Sequence, residues 1–382
     1  MFDDFVDEDD FFEEEGADAA APASSLAPPR ENGEVLGHDA IEQSLLSLYN
    51  AGKLPHALIF AGPMGVGKTT MAFRVARFLL KHGSADANQD SLFGDAPEKP
   101  TNMHVSPDDP VSHKVASGGH PDLRTIERPM DERKGTRKSA VDVETARSIA
   151  PFLRMSASDG GWRVVIVDEA DTMNYFAQNA ILKILEEPPP KALLILICNR
   201  LGTMLPTIRS RCRTFNFAPL DKPTMTSLLK RAAPQATSSE IALLTELSDG
   251  SMGRAMALQE EGGVNTLNSI LDFLGGWPNW DWSKIHPWAD NLSRDDKGYK
   301  SFASLLEWTA SEILRAKAAP ARPLPEILQI DAVRGLQNHY SLEQMIDICE
   351  KLKTHFITIE NSNLDKRQGV LGAFAILGGQ TA

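Results

Sequence analysis

Runs of consecutive apolar residues recur over the first 220 positions and predict the strands of a sheet. Ala192–Cys198 contains seven apolar residues in a row, and residues 164–167 are all β-branched. A strand with one solvated face alternates polar and apolar positions, so unbroken runs favour strands covered on both faces, as in parallel sheets. The predicted strands are Ala57–Ala61, Leu123–Ile126, 164–167, Ala192–Cys198 and 213–217.

Segments with helical spacing of apolar residues lie between these strands. They cover residues 38–52, 71–80 and 141–153, and a further helix around Ile181 is ended by Pro188. Strands that alternate with helices predict an α/β fold with a parallel sheet. In such a fold, ligands bind beyond the carboxyl ends of the strands.

Beyond residue 220 the chain shows only helical patterns. Three short ones, at 222–233, 238–248 and 252–261, predict a small lid, and the last predicted helix covers 361–377. The predicted domains are a disordered acidic tail (1–33), an α/β domain (34–220) with an exposed insertion (84–119), a helical lid (221–263) and a helical collar or oligomerisation domain (264–382).

A group of four tryptophans stands near the start of the predicted collar. Indoles can stack on nucleic-acid bases, but no arginines are interleaved with these, so we interpret them as packing residues. They are Trp277, Trp280, Trp282 and Trp288.

Charge and cysteine usage narrow the classes of function. The net charge is −13, and ten acids without a base lie within residues 1–20, so the rest of the chain is nearly neutral. Binding of nucleic acid would therefore need a local patch or partner subunits. The three cysteines have no C-x-x-C spacing, and no apolar run is long enough for a membrane span. We expect a cytoplasmic protein without zinc, disulfides or membrane contact.

A phosphate-binding loop follows the first strand. Residues 62–69 read Gly-Pro-Met-Gly-Val-Gly-Lys-Thr, the G-x-x-x-x-G-K-T motif between a strand and a helix. Its glycines let backbone N–H groups surround an anion at a helix N-terminus. The predicted nucleotide contacts are Gly62, Pro63, Gly65, Val66, Gly67, Lys68 and Thr69. ATP binding is thus predicted, whereas hydrolysis is a separate question.

Polar residues follow two of the central strands. Asp168 and Glu169 come directly after the strand at 164–167, and Asn199 follows Ala192–Cys198. Because carboxyl ends of parallel strands share one edge, we expect these side chains beside the phosphate loop. Thr69 and Asp168 are predicted to hold Mg²⁺, and Glu169 to polarise a water.

The order of these motifs resembles the AAA+ clamp-loader family. The resemblance rests on the phosphate loop, Asp168-Glu-Ala-Asp171, the run Asn179-Ala-Ile-Leu-Lys-Ile-Leu-Glu-Glu-Pro-Pro189, Asn199 and Ser210-Arg211-Cys212. Within the family, Leu54-Pro-His-Ala57, His120-Pro-Asp122 and Ile208-Arg-Ser-Arg-Cys212 are similar to the delta-prime branch of bacterial DNA polymerase III rather than to gamma/tau. The likeness is specific over residues 35–220.

The resemblance implies a role and a set of partners. It implies a subunit of a hetero-pentamer with gamma/tau and delta subunits, which opens a sliding clamp and closes it around primer–template DNA. Such a subunit belongs to a nucleotidyltransferase holoenzyme but has no polymerase site of its own. Asn199 matches the sensor of the γ-phosphate, and Glu169 the position that activates water. Arg211 matches the arginine finger, which acts in trans on the neighbouring subunit's ATP.

Two departures from the family pattern matter, the first for the chain's own ATPase activity and the second for zinc binding. Active relatives carry Gly-Ser-x-Arg in the lid, whereas Gly250-Ser-Met-Gly253 stands here and Arg254 comes one place late. One residue rotates a side chain by about 100° around a helix, so Arg254 could miss the phosphate it would contact. The cysteine-rich zinc module of many relatives is also replaced by the cysteine-free stretch 84–119.

A short motif within the predicted insertion suggests a docking peptide. Gln89, Leu92 and Phe93 match the Gln-x-x-Leu-Phe peptides with which bacterial proteins bind the sliding clamp, although so short a match also arises by chance. Two alternatives to a delta-prime role stay open from sequence. One is a gamma/tau-like motor that hydrolyses ATP itself, and the other is an unrelated AAA+ remodelling ATPase.

Overall fold

The fold was obtained as a computed structural model. It describes residues 27–83, 99–131, 136–137, 140–158, 160–362 and 364–379. Most of the predicted acidic tail and the motif Gln89, Leu92 and Phe93 lie outside the described residues.

Helices and strands alternate up to residue 216, and only helices follow. The strands are β1 Ala57–Ala61, β2 Leu123–Ile126, β3 Met130–Asp131, β4 Thr136–Arg137, β5 Arg163–Val167, β6 Ala192–Cys198 and β7 Arg213–Asn216. The helices before residue 216 are α1 Asp39–Asn50, α2 Lys68–His82, α3 Pro110–Ala116, α4 Val143–Arg147, α5 Ile149–Arg154, α6 Tyr175–Ala180, α7 Leu182–Glu186 and α8 Pro206–Arg209. Those after it are α9 Lys222–Ala232, α10 Ser238–Leu247, α11 Met252–Glu260, α12 Gly263–Leu274, α13 Trp282–Leu292, α14 Asp296–Ala318, α15 Asp331–His339, α16 Leu342–Asn361 and α17 Lys366–Leu377.

The five longer strands form a parallel sheet in the order β2-β5-β6-β1-β7. Val167 pairs with Leu196, and Ala61 at the end of β1 pairs with Cys198 at the end of β6. The ends of β5, β6 and β1 are therefore adjacent, which brings the residues after Val167, Cys198 and Ala61 to one edge. The predicted α/β fold, with a parallel sheet followed by a helical remainder, is confirmed.

Alternate residues of each strand enter opposite layers of the core. On β5, Val164 and Ile166 pack with α1 and α2, whereas Val165 and Val167 pack with α4 to α7. Both layers are apolar because helices cover both faces of a parallel sheet. The unbroken apolar runs in the sequence follow from this double coverage.

One continuous apolar cluster runs from Leu220 to Leu377. It joins the predicted lid and collar, so the boundary between them at residue 263 stays a prediction. The four tryptophans are partly buried and pack against this cluster, which confirms that they are packing residues. Among the helices described, none is both long and apolar enough to cross a bilayer.

The described part of the predicted insertion packs into the core instead of standing exposed. Met103 and Val115 are fully buried and Val105 nearly so, all in the layer with α1 and α2. The backbone N–H of Met103 donates to Glu42 on α1 at 3.1 Å. Three apolar residues spread over a polar segment show no periodicity, so the sequence carries no signal for this packing.

Two predicted helices are divided and one begins later than expected. The helix expected over 141–153 is broken at Ser148, because Pro151 has no N–H to donate to the carbonyl four residues earlier. The helix around Ile181 is split at that residue into α6 and α7. The final helix starts at Lys366, so Leu364 precedes it and stays half exposed.

Candidate functional site

The phosphate loop joins β1 directly to α2. Gly67 caps α2 with φ 103°, a backbone conformation that residues with a Cβ rarely adopt. The imidazole of His38, before α1, contacts the carbonyl of Val66 at 2.7 Å and packs edge-on against Phe217. His38 therefore supports the phosphate loop. The N–H groups in the first turn of α2 are directed out of the helix N-terminus, where an anion can bind.

Lys68 is folded back onto its own loop. Its Nζ donates to the carbonyls of Gly62 at 2.8 Å and Pro63 at 2.5 Å, and to Asn199 Oδ1 at 2.9 Å. Only 4% of the residue is exposed, and burial lowers the pKa of its ammonium group to about 8. A bound phosphate would favour the charged form, so this lysine is poised to exchange carbonyl acceptors for phosphate oxygens.

Thr69 and Asp168 face each other across the start of α2. The Thr69 hydroxyl lies 3.4 Å from each carboxylate oxygen of Asp168. Burial raises the pKa of Asp168, and the neighbouring carboxylates of Glu169 and Glu127 raise it further. A cation here would reverse that effect, and this pair of oxygen donors suits Mg²⁺, which takes few protein ligands and otherwise binds phosphate and water.

Glu169 is held by an ion pair that sequence reasoning missed. It has a left-handed backbone, φ 48°, and its carboxylate accepts a hydrogen bond from Nε of Arg128. Arg128 lies two residues after β2, the neighbour of β5 in the sheet. The sequence could have indicated this ion pair only if the pairing of β2 with β5 had been known.

Asp171 positions the tip of β6. Its two carboxylate oxygens accept from the backbone N–H groups of Asn199 and Arg200 at 3.1 and 3.2 Å. Asn199 is thereby fixed beside Lys68, as expected from the strand ends. The signal for Asp171 was present in the Asp-Glu-Ala-Asp run, although only the first two acids were assigned roles.

A cavity of about 530 Å³ lies at this edge of the sheet. Its polar wall contains Lys68, Thr69, Asp168, Glu169 and Asn199, together with Arg128. Apolar residues from before α1 and from the predicted lid also line the cavity, namely Pro28, Val35, Leu36, Leu228 and Met256. A lining with both polar and apolar parts suits a ligand that combines a phosphate chain with an apolar group.

The family model described as "DNA polymerase III, delta subunit" matches residues 37–221. The match supports the resemblance to the delta-prime clamp-loader family that the motifs indicate. The delta-prime subunit of Pseudomonas aeruginosa is 31% identical over 54% of this chain and 56% of its own length. The delta-prime subunit of Escherichia coli is 29% identical over 64% of this chain and 66% of its own length. The gamma/tau subunit of Mycobacterium tuberculosis is 32% identical over 54% of this chain and 32% of its own length.

The curated relatives are matched over only part of their length, from about a third to two thirds. Among solved structures, a gamma subunit-related protein of Thermotoga maritima is 16% identical, with a TM-score of 0.39 over 89% of this chain and 99% of that one. The Orc1 protein of Aeropyrum pernix is 17% identical, with a TM-score of 0.40 over 92% and 95%.

Two residues that the family pattern singles out lie away from the nucleotide cavity. Arg254 does not line it but faces a second cavity, so it is not brought to the predicted phosphate contacts. Arg211 is exposed after α8, where Nη2 lies 2.9 Å from Glu186 and Nη1 donates to the carbonyl of Thr207 at 3.0 Å. Its predicted action on a neighbouring subunit stays a prediction.

The lid docks on the phosphate loop through the backbone at Gly253. Ser251 Oγ donates to the Met64 carbonyl at 2.8 Å, and the Gly253 N–H donates to the Gly65 carbonyl at 3.0 Å. We call this pair of contacts the lid latch. A Cβ on Gly253 would lie 2.9 Å from the Gly65 Cα, which is closer than such atoms approach. Glycine at this position therefore permits the latch.

Replacing Gly253 with alanine is expected to lower the free energy of unfolding by about 1–3 kcal/mol, the usual cost of forcing extra atoms into a packed contact. Alanine otherwise favours a helix over glycine, so destabilisation would run against the intrinsic trend. Urea unfolding measures the effect. Gly202→Ala is the matched control, because its added Cβ has no atom within 4 Å. Equal changes in both variants would show that the latch is not a tight contact.

Proposed function

We propose that this chain is a delta-prime-type clamp-loader subunit that acts in loading a sliding clamp on primed DNA. The family match supports a clamp-loader role in replication. The observation that carries the finer assignment is the position of Arg211, exposed and outside the chain's own nucleotide cavity. Such a position does not serve the chain's own site and fits an arginine that completes a site on another subunit. The proposed partners are gamma/tau and delta subunits, the clamp and primer–template DNA.

The same chain is proposed to bind ATP with Mg²⁺. Lys68 would contact the β- and γ-phosphates, Thr69 and Asp168 would hold the metal, and Asn199 would sense the γ-phosphate. The contacts of Lys68 support this, since its ammonium group already lies against the phosphate loop and Asn199 and has acceptors that phosphate oxygens could replace. The apolar residues that line the cavity would cover the base.

A gamma/tau-like motor is the second candidate, because the phosphate loop and the Thr69–Asp168 pair are complete. Against it stands Glu169, whose carboxylate is engaged by Arg128 and is not free to accept a proton from water. The low reactivity expected of a paired carboxylate favours binding of ATP without rapid hydrolysis in the same chain.

Affinity for ATP is expected to fall as the pH rises above about 8. Burial places the pKa of Lys68 at about 8, so the lysine is charged below that pH and loses its proton above it. Bound phosphate raises this pKa, so binding above pH 8 must also take up a proton, and the affinity falls by about tenfold per pH unit. Titrations by calorimetry between about pH 7 and 9.5 measure it.

The control for this pH effect is Lys68→Arg, which stays charged over the whole range. The arginine variant is expected to bind more weakly but without the decline above pH 8. The same decline in both proteins would assign the proton to another group, and no decline in the wild type would show that Lys68 does not contact the nucleotide.

Reconstitution with purified gamma/tau and delta subunits tests the proposed role. We expect the chain to enter a stable hetero-pentamer and to be required for loading of a labelled clamp onto primed circular DNA. A complex that forms and loads clamps at the full rate without this chain would contradict the proposal. A chain that hydrolyses ATP alone at the rate of the complete loader would favour the motor instead.

A further inference from the structure

A second cavity of about 860 Å³ lies behind the phosphate loop. Met64 and Gly253 line both cavities, so only the lid latch separates the two. Its walls come from three parts of the chain, the phosphate loop at Pro63, the lid at Asp249 and Arg254, and helix α14 at Lys300 and Arg315. A ligand in this cavity would therefore contact all three parts at once.

Basic side chains dominate the polar wall of this cavity. Arg254, Lys300, Arg315 and Arg322 line it, against the carboxylates of Asp249 and Glu261. Burial raises the pKa of the Glu261 carboxyl, and Lys300 beside it lowers that pKa. Glu312 pairs with Arg315 at 2.5 Å and with Arg322 at 3.1 Å, but it is buried beneath them and does not line the cavity.

The contacts that Asp249 makes with the cavity arginines are long. Asp249 is shared between two guanidinium groups, at 3.7 Å from Arg254 and 4.0 Å from Arg315, both beyond hydrogen-bond distance. Burial lowers the pKa of Arg254, whereas the carboxylates of Asp249 and Glu307 raise it. An additional anion between these two arginines would supply the acceptors that Asp249 does not.

Two residues that line the cavity each have a buried polar atom without a hydrogen-bond partner among the described residues. These atoms are Arg254 Nε and Ser301 Oγ, and only 2% of Ser301 is exposed. Buried donors without a partner are rare in folded proteins, since each costs about 1–3 kcal/mol. A guanidinium N–H and a hydroxyl are donors that phosphate oxygens accept from.

We propose that this second cavity binds a small polyphosphate anion. Phosphate geometry suits paired guanidinium groups, which can donate in parallel to two oxygens. The cavity exceeds the nucleotide cavity in volume, so a diphosphate or the phosphate chain of a nucleotide can enter it. Because Ser251 and Gly253 of the latch form the partition, a ligand bound here would stabilise the docked lid.

Binding by the full-length chain with Lys68→Ala tests the proposal, since this change disables the phosphate loop. Pyrophosphate, inorganic phosphate and ATP are titrated separately by calorimetry. Pyrophosphate is expected to bind, and the added change Arg254→Gln or Arg315→Gln to weaken it by at least about tenfold, the loss of one charge-assisted contact. Arg294→Gln, an exposed arginine outside the cavity, is the matched control and should leave binding unchanged.

The variant Asp249→Asn distinguishes ligand binding by these arginines from a purely structural role, because only ligand binding predicts a higher affinity for pyrophosphate. Asp249 competes with the ligand for Arg254 and Arg315, so its neutral form is expected to tighten binding several-fold. Asparagine tolerates the left-handed backbone of this residue, φ 48°, so the variant should fold. It decides the question even where an arginine variant is unstable.

Comparison of the three probes distinguishes a free phosphate anion from a nucleotide as the ligand. Binding of pyrophosphate and phosphate identifies a free phosphate anion as the ligand, and binding of ATP alone identifies a nucleotide. No binding of any of the three probes to the Lys68→Ala chain would overturn the proposal. Binding that is indifferent to Arg254, Arg315 and Asp249 would overturn it as well.

Discussion

Replacing Arg211 with alanine is expected to reduce ATP hydrolysis at the neighbouring subunit's site by about 10³-fold or more, the contribution of an arginine finger. The guanidinium group neutralises charge that develops on the transferred phosphoryl group, and alanine cannot. Arg211 is exposed beyond α8 and does not line its own chain's cavity, so folding and nucleotide binding by the chain itself should be unchanged. Single-turnover hydrolysis by the reconstituted loader with primed DNA measures the effect.

Arg211 is held in a defined orientation before any partner arrives. Its contacts with Glu186 and with the Thr207 carbonyl use two of its nitrogens, and both partners sit at the surface. A phosphate on the adjacent subunit could replace the exposed Glu186 carboxylate without movement of the helix. Loss of this surface ion pair should cost the chain less than about 1 kcal/mol of stability.

Arg209→Ala is the matched control, because Arg209 is an exposed arginine two residues away at the end of α8. It is expected to leave hydrolysis by the loader unchanged. Arg211→Lys keeps the charge but loses the planar fork, so activity should be only partly restored. Hydrolysis at the wild-type rate with Arg211→Ala would exclude the role in trans.

The sequence predicted the sheet and the phosphate loop because both depend on local patterns. Double coverage of a parallel sheet forces unbroken apolar runs, and the G-x-x-x-x-G-K-T motif needs only one strand, one loop and one helix. Asn199 and Asp168 could be placed together since the ends of parallel strands meet at one edge. The bounds of β1 and β6 agree with the predicted segments to the residue.

The contacts that sequence reasoning missed are all tertiary. Arg128 reaches Glu169 because β2 is the neighbour of β5, which no spacing in the sequence shows. The Gly253–Gly65 contact of the lid latch joins backbone atoms of positions 188 residues apart, which no local pattern shows. The sequence alone indicated that Arg254 is rotated away from the predicted phosphate contact. It did not indicate the cavity that Arg254 lines, because the walls of that cavity come from three distant segments.

The ion pair between Arg128 and Glu169 predicts a gain of activity. Arg128→Gln is expected to raise ATP hydrolysis by the isolated chain by about 10²-fold or more, within the range that a general base contributes. The change frees the carboxylate at the end of β5 to orient and deprotonate a water, while Lys68, Thr69 and Asp168 remain in place. Single-turnover assays with excess protein over ATP measure the rate.

The double variant Arg128→Gln with Glu169→Gln separates this explanation from its alternatives. If the gain arises from the freed carboxylate, the second change removes it completely, and the two effects are strongly non-additive because the groups are in contact. A gain that survives Glu169→Gln would place the new base elsewhere. If Arg128→Gln instead lowers an activity already present in the wild type, Arg128 acts on the phosphate rather than on Glu169. That result would favour the motor function, because the residue would then assist hydrolysis in the chain's own site.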